Sequence, residues 1–478
     1  MEDGGRVAES GGSAGHCVPC VVAADLAGGA GLLAIALLAY LKGSLLRLLQ
    51  IAAWLLRGRE HLERKLVEAG VASGLSLSPR LAGLLDRLRA QGRPVYLASH
   101  KCSPLLEALA ARHAAIAGAV VVRRGAGSRR GAAELLDRFP DGYDAVMGGR
   151  GAITVARHPS SGALMGGLSP DLPDLGVGAD ASRVSVLREL AQSLRLHQSV
   201  KNVLVFVPLV LSGRFTVLPE VRETLLAFIA LTLVACGTYI LNDIWDVADD
   251  RAHWSKKERP IASGRLSAAT AFGLALFLIP AGVALAATIS WATCSVLLLY
   301  LALTLAYSLR VKTVPFLDGF TLAALFTIRL GLGVVAADAP PSPWLFVFSM
   351  FLFSSLSYAK RYTEISRAMA RNASGPGGRG YRPVDAPMVL TVGLAAGVGA
   401  VLIMVLYIVE EAFRSSFYGT TAALWGFPPL VFLFIIRIWL VSVRGEMMDD
   451  PVAFAIKDKA SIGLLGLLLV CFAIAWLG

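Results

Sequence analysis

From about residue 200 to the C-terminus, the chain is a series of long apolar runs joined by short charged connections. A helix needs about 20 mostly apolar residues to cross ~30 Å of hydrocarbon. Nine runs approach that length: about 202–218, 223–241, 269–289, 291–307, 315–336, 343–359, 387–408, 421–441 and 461–477. The first is the weakest, because Pro208 and Gly213 interrupt it. Backbone groups in hydrocarbon find no water, so such runs fold as a helical bundle. The composition agrees, with 55% hydrophobic and 17% charged residues, against about 25% charged in ordinary soluble domains. That balance excludes disorder and collagen, and six cysteines in 478 residues make no disulfide framework.

The net charge of +11 comes from 45 Lys+Arg and 34 Asp+Glu. In a soluble chain this excess suggests nucleic acid. Here the basic residues cluster in the connections, so membrane orientation explains them and no nucleic-acid partner is expected. With nine alternating spans, sixteen basic residues, the first Arg251 and the last Lys459, share one side of the bilayer. Three, Arg214, Arg222 and Arg414, fall on the other. The reading is a multi-pass protein of the cell inner membrane, with the N-terminal region and basic connections cytoplasmic and the C-terminus outside. Met1 to Gly15 lacks the basic and apolar segments of a secretory signal. Nothing bears on the oligomeric state.

The composition changes near residue 190. Before it, 93–99 and 119–122 read as buried strands, and 105–113 and 132–139 as helices, which suggests a small α/β domain. Gly28 to Leu41, about 14 residues ending at Lys42, leaves a tenth span open, but its length favours a cap or an interfacial helix. With Leu45 to Leu56 it reads as an interfacial hairpin. Residues 159–182 are rich in Gly, Ser, Pro and Asp. The expected organisation is a disordered N-terminus (1–17), the α/β domain (18–165), a linker (166–188) and the membrane domain (189–478). Cys17-x-x-Cys20, with His16 before it, lacks the second pair a zinc site needs.

The second apolar run ends in Asn242-Asp243-Ile244-Trp245-Asp246-Val247-Ala248-Asp249-Asp250. Asp243, Asp246 and Asp250 stand at i, i+3 and i+7, which puts three carboxylates on one helical face. Like charges this close repel unless a cation lies among them, and carboxylates joined to a substrate phosphate through a hard cation are a usual Mg²⁺ arrangement. The plain alternative is an acidic loop facing water. His253, Lys256, Lys257, Arg259 and Pro260 follow, and cations beside metal-binding carboxylates suit a diphosphate. Lys257 is read as orienting charge only.

Asn242-Asp243-x-x-Asp246-x-x-x-Asp250, then His253, Lys256 and Arg259-Pro-Ile-Ala-Ser-Gly264, resembles the UbiA superfamily of intramembrane transferases over about residues 190–478. The resemblance implies a mostly α fold, nine helices around a cavity, with Mg²⁺ and diphosphate held at the cytoplasmic end. Trp254 departs from the Pro common there. Prenyl transfer to aromatic acceptors usually uses a second Asp-rich motif. The corresponding segment, Ser357 to Glu364, has one Glu and the cations Lys360 and Arg361. Arg195-x-x-Gln198-x-x-Lys201-Asn202, Tyr307 to Lys312, Pro315-x-x-Asp318, Arg329, Gly380-Tyr381-Arg382 and Asp449-Asp450-Pro451 to Asp458 complete a pattern similar to decaprenyl-phosphate phosphoribosyltransferases. That branch implies phosphoribosyl diphosphate and a polyprenyl phosphate as partners, within the lipid bilayer. Its product leads to lipid-linked arabinofuranose, for a cell-surface glycan or a nodulation signal.

Under that reading Asp243, Asp246 and Asp250 hold Mg²⁺ and are the catalytic residues. Asn242 orients a metal ligand or a sugar hydroxyl. Lys256, Arg259 and Lys312 take the diphosphate and 5-phosphate, while Lys201, Lys360 and Arg361 take the lipid or ribose phosphate. Tyr307 bonds a phosphate or is an interfacial belt tyrosine. Arg329 faces the cavity, and Arg437 snorkels to the interface. Asp450-Pro451 reads as a helix N-cap pair. Two alternatives remain: an aromatic prenyltransferase using a polyprenyl diphosphate, and a lipid transporter.

Residues 18–165 resemble a degenerate haloacid-dehalogenase-like domain. Asp25-Leu26-Ala27-Gly28-Gly29 stands against the family's Asp-x-Asp-Gly-Thr, so the nucleophile Asp25 is kept while Ala27 and Gly29 replace the acid/base Asp and the Thr. Ser99 and Arg130 match the second and third motifs, and Gly149 stands where a metal-binding Asp belongs. The resemblance therefore implies no phosphatase activity and a scaffolding or docking role.

Overall fold

A computed structural model describes residues 20–23, 33, 36–37, 39–40, 47–71, 75, 77, 79–90, 92, 94–99, 103–122, 134–135, 137–140, 143–149, 152–158, 186–252, 256–370, 379–414, 417–447 and 450–478. The chain divides into two compact units. One holds residues 1–193 with 243–272, the other 194–242 with 273–478.

The first unit contains β1 (Cys20–Ala23), α1 (Arg47–Leu56), α2 (Arg59–Glu68), α3 (Pro79–Ala90), β2 (Val95–Ser99), α4 (Pro104–Arg112), β3 (Gly118–Val121), β4 (Tyr143–Gly149), β5 (Ala152–His158) and α5 (Val186–Ser193). The sheet order is β3-β2-β1-β4-β5, parallel except for β5, with Val22 opposite Leu97 at its centre. Cys20, Val21, Val22, Val95, Leu97 and Ala98 are buried, as expected of strands covered on both faces. Ser103 starts α4 by accepting from the Leu106 amide at 3.3 Å, with Pro104 at the first helical position. The expected α/β pattern is therefore present. Ser99 ends β2 and Gly149 ends β4. Asp25, Ala27, Gly29, Arg130, Cys17 and most of the expected linker lie outside the described residues.

The chain continues through a 3₁₀ segment (Leu196–Phe206), α6 (Val207–Leu211), α7 (Leu218–Trp245), α8 (Val247–Ala252), α9 (Ala268–Ile289), α10 (Trp291–Leu309), α11 (Leu317–Ala336), α12 (Pro343–Ala370), α13 (Ala386–Glu410), α14 (Phe427–Val443), α15 (Pro451–Ala455) and α16 (Lys459–Leu477). Among the described residues seven helices are long and apolar enough to cross a membrane: α7, α9, α10, α11, α13, α14 and α16, with 3₁₀ turns extending α13 and α14. The sequence reading expects nine, and the two differences have separate causes. The first expected span, 202–218, opens in the last five residues of the 11-residue 3₁₀ segment, continues in only five of α-helix, and is broken at Gly213, whose φ of 72° favours glycine. The sixth, α12, has 28 residues but turns polar groups inward. Ser349, Ser354, Ser355, Ser357, Arg361 and Thr363 are all buried, which lowers its hydropathy below that of a lipid-facing helix.

Polar side chains tie this bundle together where hydrophobic contrast is weak. Ser355 Oγ of α12 donates to the Gly393 carbonyl of α13 at 2.7 Å and accepts from Trp439 Nε1 of α14 at 3.0 Å. Close backbone approach does the same where α11 meets the 3₁₀ segment: a Cβ on Gly333 would overlap the Val205 carbonyl. Large apolar side chains such as Leu276, Phe277, Leu402, Leu465 and Leu469 point outward, so the bundle carries the lipid-facing surface of an integral membrane protein.

Candidate active site

Helix α7 ends at Trp245 and α8 begins at Val247. The Asp250 amide still donates to the Asp246 carbonyl at 2.8 Å, so one helical turn bridges the break. Asp243 and Asp250 are each 3% exposed. One nitrogen of Arg259, Nη1, lies 3.1 Å from Asp243 Oδ1 and 2.6 Å from Asp250 Oδ2. Arg259 reaches them because it opens a tight turn. Ser263 N donates to the Arg259 carbonyl at 2.9 Å, Leu266 N to the Pro260 carbonyl at 2.9 Å, and Gly264 takes a φ of 80°. Arg251 Nε holds the turn through the Ala262 carbonyl at 3.0 Å, and Arg265 Nε joins it to Glu189 of α5 at 2.9 Å.

Two buried carboxylates with a guanidinium between them form a cation site filled by the chain's own cation. Their hard oxygen donors are of the kind that suits Mg²⁺. Asp246, half-buried, is outside this ion pair, and among the described residues no three acidic, histidine or cysteine side chains gather as a metal site. Lys256 and Lys257 are exposed on a short 3₁₀ turn. His253 and Trp254 lie outside the described residues.

A second cluster belongs to the bundle unit. Lys201 Nζ and Lys360 Nζ lie 3.1 and 3.0 Å from the same oxygen, Oδ2 of Asp450. The other oxygen accepts from the Val452 amide at 3.1 Å, which is the expected N-cap of α15. Burial alone would raise the Asp450 carboxyl, but Lys360 and Lys201 outweigh it and hold the group below the usual carboxylate range. Beside Lys201, Asn202 accepts from Arg329 Nε at 3.0 Å and donates to Thr232 at 3.1 Å. Arg329 is buried, bonds Tyr300 at 3.1 Å and lies over the Phe326 ring.

Arg361 is fully buried. Its Nε lies 2.5 Å from Asp318 and its Nη1 2.5 Å from Glu364. Asp318 also accepts from Tyr381 at 2.6 Å and from Arg379 at 3.4 Å. The Tyr307 hydroxyl accepts from Arg379 at 3.0 Å and Arg361 at 3.4 Å. The structure thus gathers Lys201 with Lys360, sets Arg361 and Tyr307 in a charge-balanced network, and sets Arg329 in a hydrogen-bonded one. Asn242 is half-buried near the end of α7, and Lys312 half-buried after α10. Arg437, expected to snorkel, instead pairs with Asp458 at 3.0 Å. Sequence reasoning gave no role to Arg379, Tyr381 and Glu364. The signal available was Asp318, a carboxylate opening an apolar run, which calls for cationic partners.

Residues 203–457 match the model of the UbiA prenyltransferase family. The chain belongs to this family. The UbiA match covers the Asp243–Asp250 helix end, Arg259, Lys360 and Asp450, and begins two residues after Lys201. The chain is 34% identical over 433 residues to the uncharacterized protein y4nM of Sinorhizobium fredii, covering 88% of this chain and 83% of that one. It is 33% identical over 287 residues to nodulation protein NoeC of Azorhizobium caulinodans, with 58% and 90% covered. It is 28% identical over 293 residues to the decaprenyl-phosphate phosphoribosyltransferase of Mycobacterium tuberculosis, with 60% and 91% covered. Among solved structures it is similar to a UbiA homolog from Archaeoglobus fulgidus bound to GPP and Mg²⁺, at a TM-score of 0.45 and 14% identity, covering 60% of this chain and 99% of that one. This UbiA-family chain is a membrane transferase. The likeness to y4nM is too long to be confined to the UbiA region, so it extends into the N-terminal α/β unit.

Proposed function

We propose that this UbiA-family protein is a Mg²⁺-dependent transferase that moves 5-phosphoribose from phosphoribosyl diphosphate to a polyprenyl phosphate, releasing diphosphate. The observation that carries the reading is the balance of charges. Asp243 and Asp250 form a buried cation site, whereas the segment of α12 that would hold a second acidic motif presents Lys360, and its one carboxylate, Glu364, is tied to the buried Arg361. Fewer metal-binding carboxylates and more cations suit a substrate pair with an extra phosphate. The likeness to a decaprenyl-phosphate phosphoribosyltransferase supports this pair, and the likeness to a nodulation protein supports a product used in nodulation; lipid-linked arabinofuranose, for a secreted signal or surface glycan, is the destination this reading assigns.

Asp243, Asp246 and Asp250 would hold Mg²⁺, which when bound draws charge from the departing diphosphate. Arg259 exchanges its two carboxylates for phosphate oxygens, and Lys256 and Lys312 assist it. Asn242 orients a carboxylate or a sugar hydroxyl. Lys201 and Lys360 take a phosphate monoester. Arg329 and Arg361, enclosed in their own networks, are positioning residues, and Tyr307 is held in the same way by Arg379. No strong base is required, because a phosphate monoester has its second pKa near ~6 and is already a nucleophile. Its oxygen bonds to the anomeric carbon as the bond from that carbon to diphosphate breaks, and the electron pair leaves with diphosphate. Counted with the Leu196–Leu211 segment and α12 as crossings besides the seven long apolar helices, the basic connections support an inner-membrane orientation with these groups cytoplasmic and the C-terminus outside. The N-terminal unit would serve as a scaffold without phosphatase activity, since β4 ends in Gly149 rather than a carboxylate.

The test uses purified full-length protein with Mg²⁺, radiolabelled phosphoribosyl diphosphate and a polyprenyl phosphate. A labelled lipid is expected, and Asp243→Ala or Asp246→Ala should reduce it to background. Full activity in either variant removes the metal assignment. Product formed instead from a polyprenyl diphosphate and 4-hydroxybenzoate moves the chain to the aromatic branch.

A further inference from the structure

The two lysines of the bundle unit converge on one atom, Asp450 Oδ2, from segments far apart in sequence: the 3₁₀ stretch before α6, the middle of α12 and the connection between α14 and α16. Two ammonium groups and one carboxylate leave a positive excess. Arg329 adds to it, since its guanidinium and Lys201 both lie over the Phe326 ring, at 5.2 and 5.8 Å. Cations held this close require an anion among them. The carboxylate offers them a single oxygen, because the other caps α15. A phosphate monoester carries about −1.5 to −2 charges and three acceptor oxygens, so it balances the excess and gives each ammonium its own partner. The cluster is also partly accessible: the side chains of Lys201, Lys360 and Asp450 keep 17%, 31% and 24% of their exposure. Asp450 itself begins a helix of only five residues, a short element to shift.

We propose that Asp450 is an internal stand-in for a substrate's phosphate monoester, and that Lys201 and Lys360 form that phosphate's site when the carboxylate withdraws. The identity of the substrate rests on the function proposed above; the competition between carboxylate and phosphate does not. Asp450 sets the affinity of the site, because an incoming phosphate must displace it, and it eases release by returning.

The experiment measures binding of geranyl phosphate and of ribose 5-phosphate to the full-length protein in nanodiscs by calorimetry, without Mg²⁺ or phosphoribosyl diphosphate. Asp450→Asn is the informative variant. Asn caps a helix as well as Asp does, so α15 keeps its N-cap and only the charge goes. The variant should bind one of the probes about tenfold tighter, and adding Lys201→Met or Lys360→Met should abolish the gain. A response to geranyl phosphate assigns the site to the lipid acceptor, and a response to ribose 5-phosphate assigns it to the donor's 5-phosphate. Unchanged or weaker binding of both probes overturns the inference and makes Asp450 a fixed anchor for the lysines. Tighter binding in Asp450→Asn alongside a failed radiolabel assay keeps the stand-in and discards the reaction.

Discussion

A guanidinium is the resident cation of the acidic helix end. Arg259→Gln would remove the guanidinium that Asp243 and Asp250 share, so metal-free protein should lose about 1.5–3 kcal/mol of stability, the worth of a charged hydrogen bond. Thermal melts in chelator should show the loss, and Mg²⁺ should restore more of it than it adds to the wild type. An Arg259→Gln protein as stable as wild type in chelator would mean that the ion pair holds nothing together. The carboxylates and Arg259 were legible in the sequence because they lie within 17 residues of one another and a helical repeat relates the acids. Asp450 was legible only in part. Its capping role is local and reads directly from Asp450-Pro451, whereas Lys201 and Lys360 lie 249 and 90 residues away and no periodicity links them.

Individual elements show where a polar group is worth its place. Asp458 caps α16 by accepting from Ser461 N at 3.0 Å and holds Arg437 of α14. The hydrogen bond from Arg437, ahead of those from Ser461, keeps its carboxyl down at about 2. The folded-state value is thus below the ~3.9 of an unfolded Asp, so this stabilisation is complete above about pH 4 and fades as pH falls toward 2. The difference in melting temperature between wild type and Asp458→Asn should be constant from neutral pH to about 5 and shrink below about 4. A gap as large at pH 2.5 as at neutral pH would assign the effect to packing. Where α11 meets the 3₁₀ segment the constraint is steric. Gly333→Leu should cost about 1–3 kcal/mol in thermal melts, because a side chain there must push the Val205 backbone away. Helix α12 begins at residue 343, where the sequence reading starts its run, but continues eleven residues past 359, where that run ends. Its polar interior could not be assigned from hydropathy, because an average over a window does not say which face carries the serines.

For the whole molecule, the seven long apolar helices and the UbiA family match make an integral membrane transferase. In a chain whose own six cysteines are replaced, a cysteine at Arg414 should react with an impermeant maleimide on intact spheroplasts, and one at Arg382 should react only after lysis. The reverse pattern would invert the proposed orientation. The sequence alone determined the membrane class, the α/β character of the N-terminal region and the acidic helix end, because apolar run length, strand patterning and helical spacing are local quantities. Only the tertiary structure decided which charges neutralise which: that Arg259 fills the carboxylate pair, that Asp450 gathers two lysines, and that Arg361 is enclosed by Asp318 and Glu364. In an apolar bundle a charge must find a partner wherever the helices bring one, and that depends on packing between segments that the linear order does not encode.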